Sequence, residues 1–420
     1  MSITLIGLYI HLPFCAGRCP YCDFFAQPHA AGSTHALIPA MLRHLEMIAP
    51  LAAGRPLAHV YLGGGTPSLL PANNIGQLIA AAKGLLGLVP GCEVSMEANP
   101  GSLSQGKLEA LKEAGVNRLS LGAQSFDPLL LKALGRRHSP DDTLRAVAQA
   151  RAAGFNNLSL DLIYALPGQT PQSSRADILA ALDLAPDHLS LYELTLNPAT
   201  PFGRTYRQGR PPLPSERDVL AMEDTALALL EAAGLLRYEV STFARPGYEC
   251  RHNQDTWRGG DYLALGPGGH GHLANRRWAW PCNVEVYAAG VAAGRPPLEI
   301  SEELTPEQQA LELVMLGLRT TEGVDLERLQ VLLDTDPRNF WPDPLEQLLA
   351  QGWAKLESQR LRPTPQGLRM ADAAAALFVE QPRELHSYSS ASTADRPAPI
   401  PWLATNPPSA PSTLAGRRWQ

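Results

Sequence analysis

The chain has 420 residues, 45% hydrophobic and 18% charged, which is an ordinary globular composition with room for two or three domains. The formal charge of −6 argues against nucleic acid as the main partner, because phosphate binding needs a basic surface. Six cysteines are too few for a disulfide scaffold. Neither a secretory signal nor an apolar run of about 18 residues is found, so no integral membrane segment is predicted.

The first half of the chain alternates short apolar runs with longer helical patterns rich in alanine and leucine. The apolar runs predict strands at 8–12, 59–62, 93–97, 118–122, 157–161 and 188–192. The longer patterns predict helices at 34–48, 74–86, 105–114, 141–153 and 173–184. Such repeated βα units favour parallel strands joined by right-handed crossovers. Periodicity alone does not distinguish an open sheet from a barrel.

Three cysteines, Cys15, Cys19 and Cys22, lie in one short loop directly after the first predicted strand. Four ligands usually fill a structural zinc or iron–sulfur site, so three thiolates leave one position open. The spacing is compatible with a [4Fe–4S] cluster that has one open iron, or with a zinc site completed by a distant ligand. The other cysteines are scattered and are expected to be inert thiols: Cys92, Cys250 and Cys282.

Glycine-rich and polar segments follow the other predicted strands. Gly63-Gly64-Gly65-Thr66 follows the second strand, Glu97 ends the third, and Asp161 ends the fifth. The carboxyl ends of parallel strands meet at one edge, where polar side chains can bind a polar ligand. Taken singly, each of the polar residues is more typical of a helix cap or a solvated loop, and the glycine segment is equally typical of a plain loop.

Four phrases together are very specific: YIHLPFC at 9–15, GGGTPS at 63–68, LGAQSF at 121–126 and DLIYALPGQT at 161–170. They resemble the radical S-adenosylmethionine (SAM) superfamily, and within it the oxygen-independent coproporphyrinogen III oxidase group. The resemblance runs from about residue 8 to residue 378. It implies an α/β fold, a partial (βα)6 TIM-like barrel with its chemistry at the carboxyl ends of the strands.

The resemblance implies that Cys15, Cys19 and Cys22 hold a [4Fe–4S] cluster whose open iron chelates SAM. Nine residues are implied as SAM contacts: Tyr9, Tyr21, Gly64, Gly65, Thr66, Glu97, Gln124, Arg136 and Asp161. A carboxylate suits a ribose or an amine, and Arg136 suits a carboxylate through paired hydrogen bonds. The cluster needs an electron donor and, being oxygen-sensitive, fits a reducing cytoplasm.

One departure separates two branches of this group. The oxidase is expected to carry a fourth cysteine two places after the third, where this chain has Phe24. The chain therefore resembles the HemW family of haem chaperones. This resemblance implies that the protein binds haem and transfers it to acceptor proteins. It assigns no residue as catalytic. The alternative is a coproporphyrinogen III oxidase that acts by a 5′-deoxyadenosyl radical, and whether SAM is cleaved stays open.

The segment 250–257, CRHNQDTW, resembles the HNxxYW signature of that family, with Thr256 in the place of the tyrosine. Imidazole is a good axial ligand for haem iron, and an indole is a flat partner for a porphyrin. His252 and Trp257 are therefore the candidate haem contacts, and a structural His–Asn turn is the alternative. His270 and His272, in a glycine-dense segment, are further candidates.

We expect four regions: a barrel at 1–240, a barrel extension with the haem segment at 241–301, a C-terminal winged-helix-like domain at 302–380, and a disordered tail at 381–420. A capping box at 305–308 precedes a helix at 309–319. Further elements are predicted at 326–333, 345–351, 353–361 and 364–379. No basic cluster supports DNA binding there, so a lid or a partner surface is expected. The tail is rich in proline and has no hydrophobic period.

Overall fold

The computed structural model describes residues 4–30, 33–206 and 213–379. The predicted disordered tail at 381–420 lies outside the described residues. Within these three ranges, no helix has the length and apolar character needed to cross a membrane.

The described chain is a mixed α/β structure. Its strands are β1 (Ile6–Leu12), β2 (Phe14–Cys15), β3 (Gln27–Pro28), β4 (Leu57–Gly64), β5 (Leu88–Ala98), β6 (Arg118–Gln124), β7 (Leu158–Tyr164), β8 (His188–Glu193), β9 (Leu236–Arg237), β10 (Thr242–Ala244), β11 (Tyr262–Leu265), β12 (His270–Leu273), β13 (Arg276–Ala279), β14 (Ile300–Glu303), β15 (Val324–Asp325), β16 (Ala354–Glu357) and β17 (Arg360–Pro363).

Its helices are α1 (Ser33–Ile48), α2 (Ala72–Leu86), α3 (Gln105–Glu113), α4 (Pro128–Ala133), α5 (Pro140–Ala152), α6 (Pro171–Asp183), α7 (Pro201–Tyr206), α8 (Glu216–Ala232), α9 (Arg251–Trp257), α10 (Val284–Ala292), α11 (Pro306–Gly317), α12 (Leu326–Leu333), α13 (Pro337–Phe340), α14 (Pro342–Ala350), α15 (Pro365–Arg369) and α16 (Ala371–Val379).

The largest sheet has twelve strands among the described residues, in the order β14-β13-β12-β11-β1-β4-β5-β6-β7-β8-β10-β9. The six predicted strands form its centre, and all their pairings are parallel. The predicted α/β fold with repeated βα units is therefore confirmed. A seventh parallel strand, β11, pairs with β1, although its segment was predicted only as glycine-dense.

The two faces of the central sheet differ in chemistry. Because right-handed crossovers between successive neighbours keep the helices on one face, that face must be apolar. Leu62, Met96, Leu119 and Leu160 are fully buried and belong to the main hydrophobic core. Burying each of these side chains stabilises the fold by about 1.5–3 kcal/mol. The opposite face, called the inner face below, carries polar residues.

The C-terminal region has its own core, which includes Val314, Leu329, Leu348, Leu361 and Phe378. A three-stranded sheet, β15-β17-β16, packs with short helices around this core. These elements agree with a winged-helix-like arrangement, while the boundaries of the four regions remain predictions.

The prediction of one last helix at 364–379 is wrong. Two helices, α15 and α16, meet at Met370, whose φ of −100° and ψ of 18° depart from helical values. Its backbone amide is shared between the carbonyls of Gln366 and Gly367, a pattern common at the end of a helix. At Gly367 the chain runs so close to Trp353 that an added Cβ would lie 1.7 Å from the Trp353 carbonyl oxygen. This close approach requires glycine at position 367, within α15.

The C-terminal region contacts the main sheet at two places, the segment just after β9 and the C-terminal end of α9. Backbone amides of Val240 and Thr321 donate to the carbonyls of Arg319 and Tyr238, at 2.9 and 3.1 Å. Arg258, which caps the C-terminus of α9, forms an ion pair with Glu322. The segment that contains the candidate haem contacts is thus held between the two cores.

Candidate functional site

The cysteine loop is closed by a short parallel pairing of β2 with β3. Cys15 ends β2, and the backbone amide of Cys22 donates to the Cys19 carbonyl at 3.1 Å, so that the loop turns back on itself. All three thiols are free and partly buried. The structure therefore brings the three predicted cluster ligands into one loop beside the carboxyl end of β1.

Burial and mutual repulsion shape the chemistry of these thiols. Burial raises the pKa of Cys15, and raises that of Cys22 to about 11, with the neighbouring thiols adding to the effect. The positive charge of Arg136 lowers the pKa of Cys15 and so acts in the opposite direction. Its Nη1 lies 3.8 Å from Cys19 Sγ. A bound metal would bring the thiols into the thiolate form.

Within the described part of the chain, no three His, Cys, Asp or Glu side chains converge closely enough to hold a single metal ion. In a [4Fe–4S] cluster each thiolate binds a different iron, so its ligands stand further apart than those of one ion. Three free thiols with an adjacent guanidinium fit such a cluster.

The glycine segment lies against the strand that leads to the cysteine loop. The amides of Gly65 and Thr66 donate to the carbonyls of Leu12 and Phe14, at 2.9 and 2.8 Å. A Cβ at Gly65 would lie 2.7 Å from the Phe14 oxygen, so only glycine allows this approach. As a result, Thr66 Oγ1 comes within 3.5 Å of Cys15 Sγ.

Glu97 lies next to this glycine segment on β5. Its Oε1 accepts a hydrogen bond from the Tyr61 hydroxyl at 2.8 Å, and its Oε2 accepts from the Gly64 amide at 3.2 Å. Burial raises the pKa of Glu97 to about 7, although the Tyr61 hydrogen bond acts in the opposite direction. Glu97 is therefore positioned as a hydrogen-bond acceptor, and its charge is sensitive to pH near neutrality.

Asp161, on β7, is held by serines of the inner face. Ser120 Oγ donates to both carboxylate oxygens, at 2.9 and 3.0 Å, and Ser159 Oγ donates at 3.4 Å. Burial raises the pKa of Asp161, while these hydrogen bonds lower it. Like Glu97, Asp161 can accept hydrogen bonds from a polar ligand.

Gln124 and Arg136 meet at Gly122. Gln124 has a left-handed backbone, with φ of 65°, at a β-bulge in the pairing of β6 with β7. Arg136 Nη2 donates to the Gly122 carbonyl at 2.7 Å, and its buried Nε has no hydrogen-bond partner among the described residues. This free donor fits the carboxylate of SAM, the role that the sequence predicts for Arg136.

The remaining predicted SAM contacts, Tyr9 and Tyr21, flank the same site. The Tyr9 hydroxyl is 3.0 Å from His11 Nδ1, and the Tyr9 ring lies 6.2 Å from that of Tyr61. Tyr21 packs 6.2 Å from Phe202 and lies beside Cys19 and Arg136. Tyr61 belongs to no motif and was not among the predicted contacts. The signal that points to it is its position two residues before Gly63, which places both residues on one face of β4.

His252 is half-buried and packs against aromatic side chains of the inner face. Its ring stacks on Tyr61 at 4.7 Å and on Tyr9 at 5.7 Å, and burial lowers its pKa well below the usual value. In the described structure its Nδ1 is buried and without a hydrogen-bond partner. The imidazole therefore stacks on the ring of Tyr61, whose hydroxyl donates a hydrogen bond to Glu97.

The structure does not place Trp257 beside His252. Both lie on α9 and are five residues apart, so their side chains point in directions about 140° apart. Trp257 is half-buried, and Thr256, in the place of the tyrosine, bonds the His252 carbonyl at 2.8 Å. His272 bonds the Gly260 carbonyl at 3.0 Å, and His270 is exposed, both on β12. A haem contact by any of these residues remains a prediction.

Comparison with protein families matches residues 9–180 to the radical SAM superfamily and residues 304–370 to the HemN C-terminal domain. The chain is 40% identical over 275 residues to the haem chaperone HemW of Escherichia coli, covering 65% of this chain and 71% of that protein. It is 35% identical over 376 residues to HemW of Bacillus subtilis, covering 88% of this chain and 98% of that protein.

Among solved structures, the chain is similar to the coproporphyrinogen III oxidase HemN of Escherichia coli, described as a radical SAM enzyme. The TM-score is 0.79 over 89% of this chain and 90% of that chain, at 24% identity. At this level of identity the similarity shows the fold alone.

Proposed function

The chain belongs to the HemW family of the radical SAM superfamily, and from this premise we propose that it is a haem chaperone that binds a [4Fe–4S] cluster, SAM and haem. The observation that carries the proposal is the position of the cysteine loop. Its three free thiols lie beside two of the predicted SAM contacts, Thr66 of the glycine segment and Arg136. Phe24 in the place of the expected fourth cysteine favours the chaperone over the oxidase.

In this proposal Cys15, Cys19 and Cys22 hold the cluster, which when bound supplies one-electron chemistry to SAM. Arg136 keeps a positive charge beside the Cys19 sulfur and offers Nε to the SAM carboxylate. Tyr61 and the Gly64 amide orient the Glu97 carboxylate toward an amine or ribose hydroxyl. The cluster would draw its electron from a separate donor in the reducing cytoplasm.

For haem we propose the two candidates on α9, with different roles. Trp257 is half-buried and can present its indole to a porphyrin without disturbing the fold. The His252 ring is stacked on Tyr9 and Tyr61 by its faces, so a haem iron would have to approach a nitrogen at the ring edge. Because Nδ1 is buried, we propose Nε2 as the ligand atom.

The test is an anaerobic haem titration followed by the Soret band, with the wild type, Trp257→Ala and His252→Phe. Phenylalanine keeps the stacked ring and removes the ligand nitrogens, so a misfolded product is not expected. The wild type should bind haem and pass it to an added apo-haemoprotein such as apomyoglobin. Both variants should bind haem more weakly. Failure of the wild type to bind haem would refute the chaperone proposal.

The same preparation can test the oxidase alternative. Anaerobic incubation with coproporphyrinogen III, SAM and a reductant should produce no protoporphyrinogen. Formation of that product would replace the chaperone proposal with the oxidase.

A further inference from the structure

Arg118 is a buried cation in the middle of the inner face. It begins β6 and its side chain is only 2% exposed. In the pairing of β5 with β6, Arg118 is the register partner of Ser95. Two residues further along β6, Ser120 is the partner of Glu97, and its hydroxyl donates to Asp161. Since side chains two apart in a strand share a face, Arg118 lies just below the two acidic candidates of the SAM site.

No hydrogen bond satisfies Arg118 Nε within the described ranges. The carboxylate of Glu93 attracts Arg118 but makes its hydrogen bonds to other groups. Its Oε1 accepts from Ser95 Oγ at 2.9 Å and from the Arg251 amide at 3.1 Å. A guanidinium remains charged in proteins, and a buried charge is stable only where opposite charges surround it.

Three carboxylates of the inner face, Glu93, Glu97 and Asp161, supply these opposite charges. Burial disfavours the ionised forms of Glu97 and Asp161, and the charge of Asp161 further raises the pKa of Glu97. The attraction of Arg118 acts against both effects. His188, on β8 next to the strand of Asp161, adds no positive charge, because burial and the charge of Arg118 both lower its pKa.

The other titratable groups that face these residues are neutral near pH 7. Around Arg118, Glu97 and Asp161 they comprise Tyr9, Cys15, Tyr61, Tyr192, Tyr238 and Cys250. Burial raises the pKa of each of them. A second guanidinium, that of Arg136, lies at Gly122 and donates to its carbonyl oxygen. Arg118 is the permanent positive charge that lowers the pKa of both Glu97 and Asp161.

We propose that Arg118 is a positioning residue of the SAM site, the counter-charge that keeps Glu97 and Asp161 as carboxylates able to accept hydrogen bonds from bound SAM. The inference rests on the proposed function in one respect, since it takes Glu97 and Asp161 as SAM contacts. Arg118 itself touches no ligand in this proposal. It acts through the charge state of the two acids.

The first test needs no cofactor. In protein labelled with ¹³C at glutamate carboxyls, the Glu97 signal is assigned by its loss in Glu97→Gln and is then titrated with pH. The midpoint should be about 7 in the wild type. Arg118→Met should raise it by about one pH unit or more, and Arg118→Lys should restore it. An unchanged midpoint in Arg118→Met would overturn the inference.

The second test is SAM affinity as a function of pH, measured by equilibrium dialysis. In Arg118→Met the loss of SAM on acidification should begin at a higher pH than in the wild type, with near-normal affinity at alkaline pH. A purely structural role would weaken binding equally at every pH and would contradict the inference. Arg145→Met, which removes an exposed arginine on α5, should match the wild type.

Folding of the variants is checked by circular dichroism. If Arg118→Met does not fold, the double variant Arg118→Met/Glu93→Gln removes one negative charge together with the positive one. Its Glu97 midpoint should lie above that of Glu93→Gln alone, and equality of the two would refute the role of Arg118. A wild type that binds no SAM at any pH would refute the proposed function, while the carboxyl titration would still decide the role of Arg118.

Discussion

The Tyr61 hydroxyl donates a hydrogen bond of 2.8 Å to Oε1 of Glu97, across the parallel pairing of β4 and β5. The same tyrosine ring stacks on His252 of α9. One side chain thus contacts both the acidic residue of the predicted SAM site and the helix that carries the candidate haem contacts.

Replacement of Tyr61 by phenylalanine should weaken SAM binding about tenfold. A hydrogen bond to a charged group contributes about 1.5–3 kcal/mol, while the stacked ring is kept. Equilibrium dialysis at pH 8 would measure the change. Tyr287→Phe is the matched control, because its hydroxyl bonds His44 at 2.6 Å. It should lower stability and leave SAM affinity intact, and equal affinities in both variants would contradict the role of Tyr61.

Each single change Cys15→Ala, Cys19→Ala or Cys22→Ala should abolish a stable cluster, because two thiolates cannot replace three. Iron and acid-labile sulfide, measured after anaerobic reconstitution, should fall from about four each per chain to near zero. Cys282→Ala, which removes an exposed thiol outside the loop, should retain both. Wild-type protein that contains zinc and no sulfide would contradict the assignment.

Arg136→Met should shift the reduction potential of the cluster to a more negative value. The reduced cluster carries one more negative charge, and the variant loses the guanidinium 3.8 Å from Cys19 Sγ that favours it. A redox titration followed by electron paramagnetic resonance would measure the shift. The neighbouring Arg137 is exposed, and Arg137→Met should change the potential much less. Equal shifts would indicate a general charge effect.

The contribution of Glu239 to the free energy of unfolding should fall as the pH rises toward neutrality. The residue is buried beside the C-terminal region, and burial raises its pKa from 4.5 to about 7. The folded state therefore binds a proton more tightly than the unfolded state, so this contribution is complete below pH 4.5 and is lost as pH rises through 7.

The size of this effect is on the order of 3 kcal/mol, at about 1.4 kcal/mol for each pKa unit. Urea unfolding at several pH values between 5 and 8 would measure it, and Glu239→Gln should remove this part of the slope. Glu231→Gln, at an exposed position on α8, is the control that should leave the slope unchanged. The buried histidines act in the opposite direction, because their lowered pKa makes the fold more stable as the pH rises. The decisive quantity is therefore the difference in free energy of unfolding between the wild type and Glu239→Gln, and a difference that stays constant from pH 5 to pH 8 would contradict the prediction.

Local patterns in the sequence determined the six central strands, the helices between them, the cysteine loop and the glycine segment. Each of these features depends on residues close together in the chain, because strand alternation, helix periodicity and loop spacing are set by neighbours. For the same reason the family resemblance could nominate Glu97, Arg136 and Asp161 one by one as SAM contacts, which remain predictions.

Only the tertiary structure decided how these elements combine. Tyr61 and Arg118 have no motif of their own, and they acquire a role only when the register places them beside Glu97 and Asp161. His252 lies nearly two hundred residues from Tyr61 in sequence, and its packing beneath that ring depends on α9 closing the inner face. Contacts between such distant segments arise from the packing of the whole sheet, which no local pattern encodes.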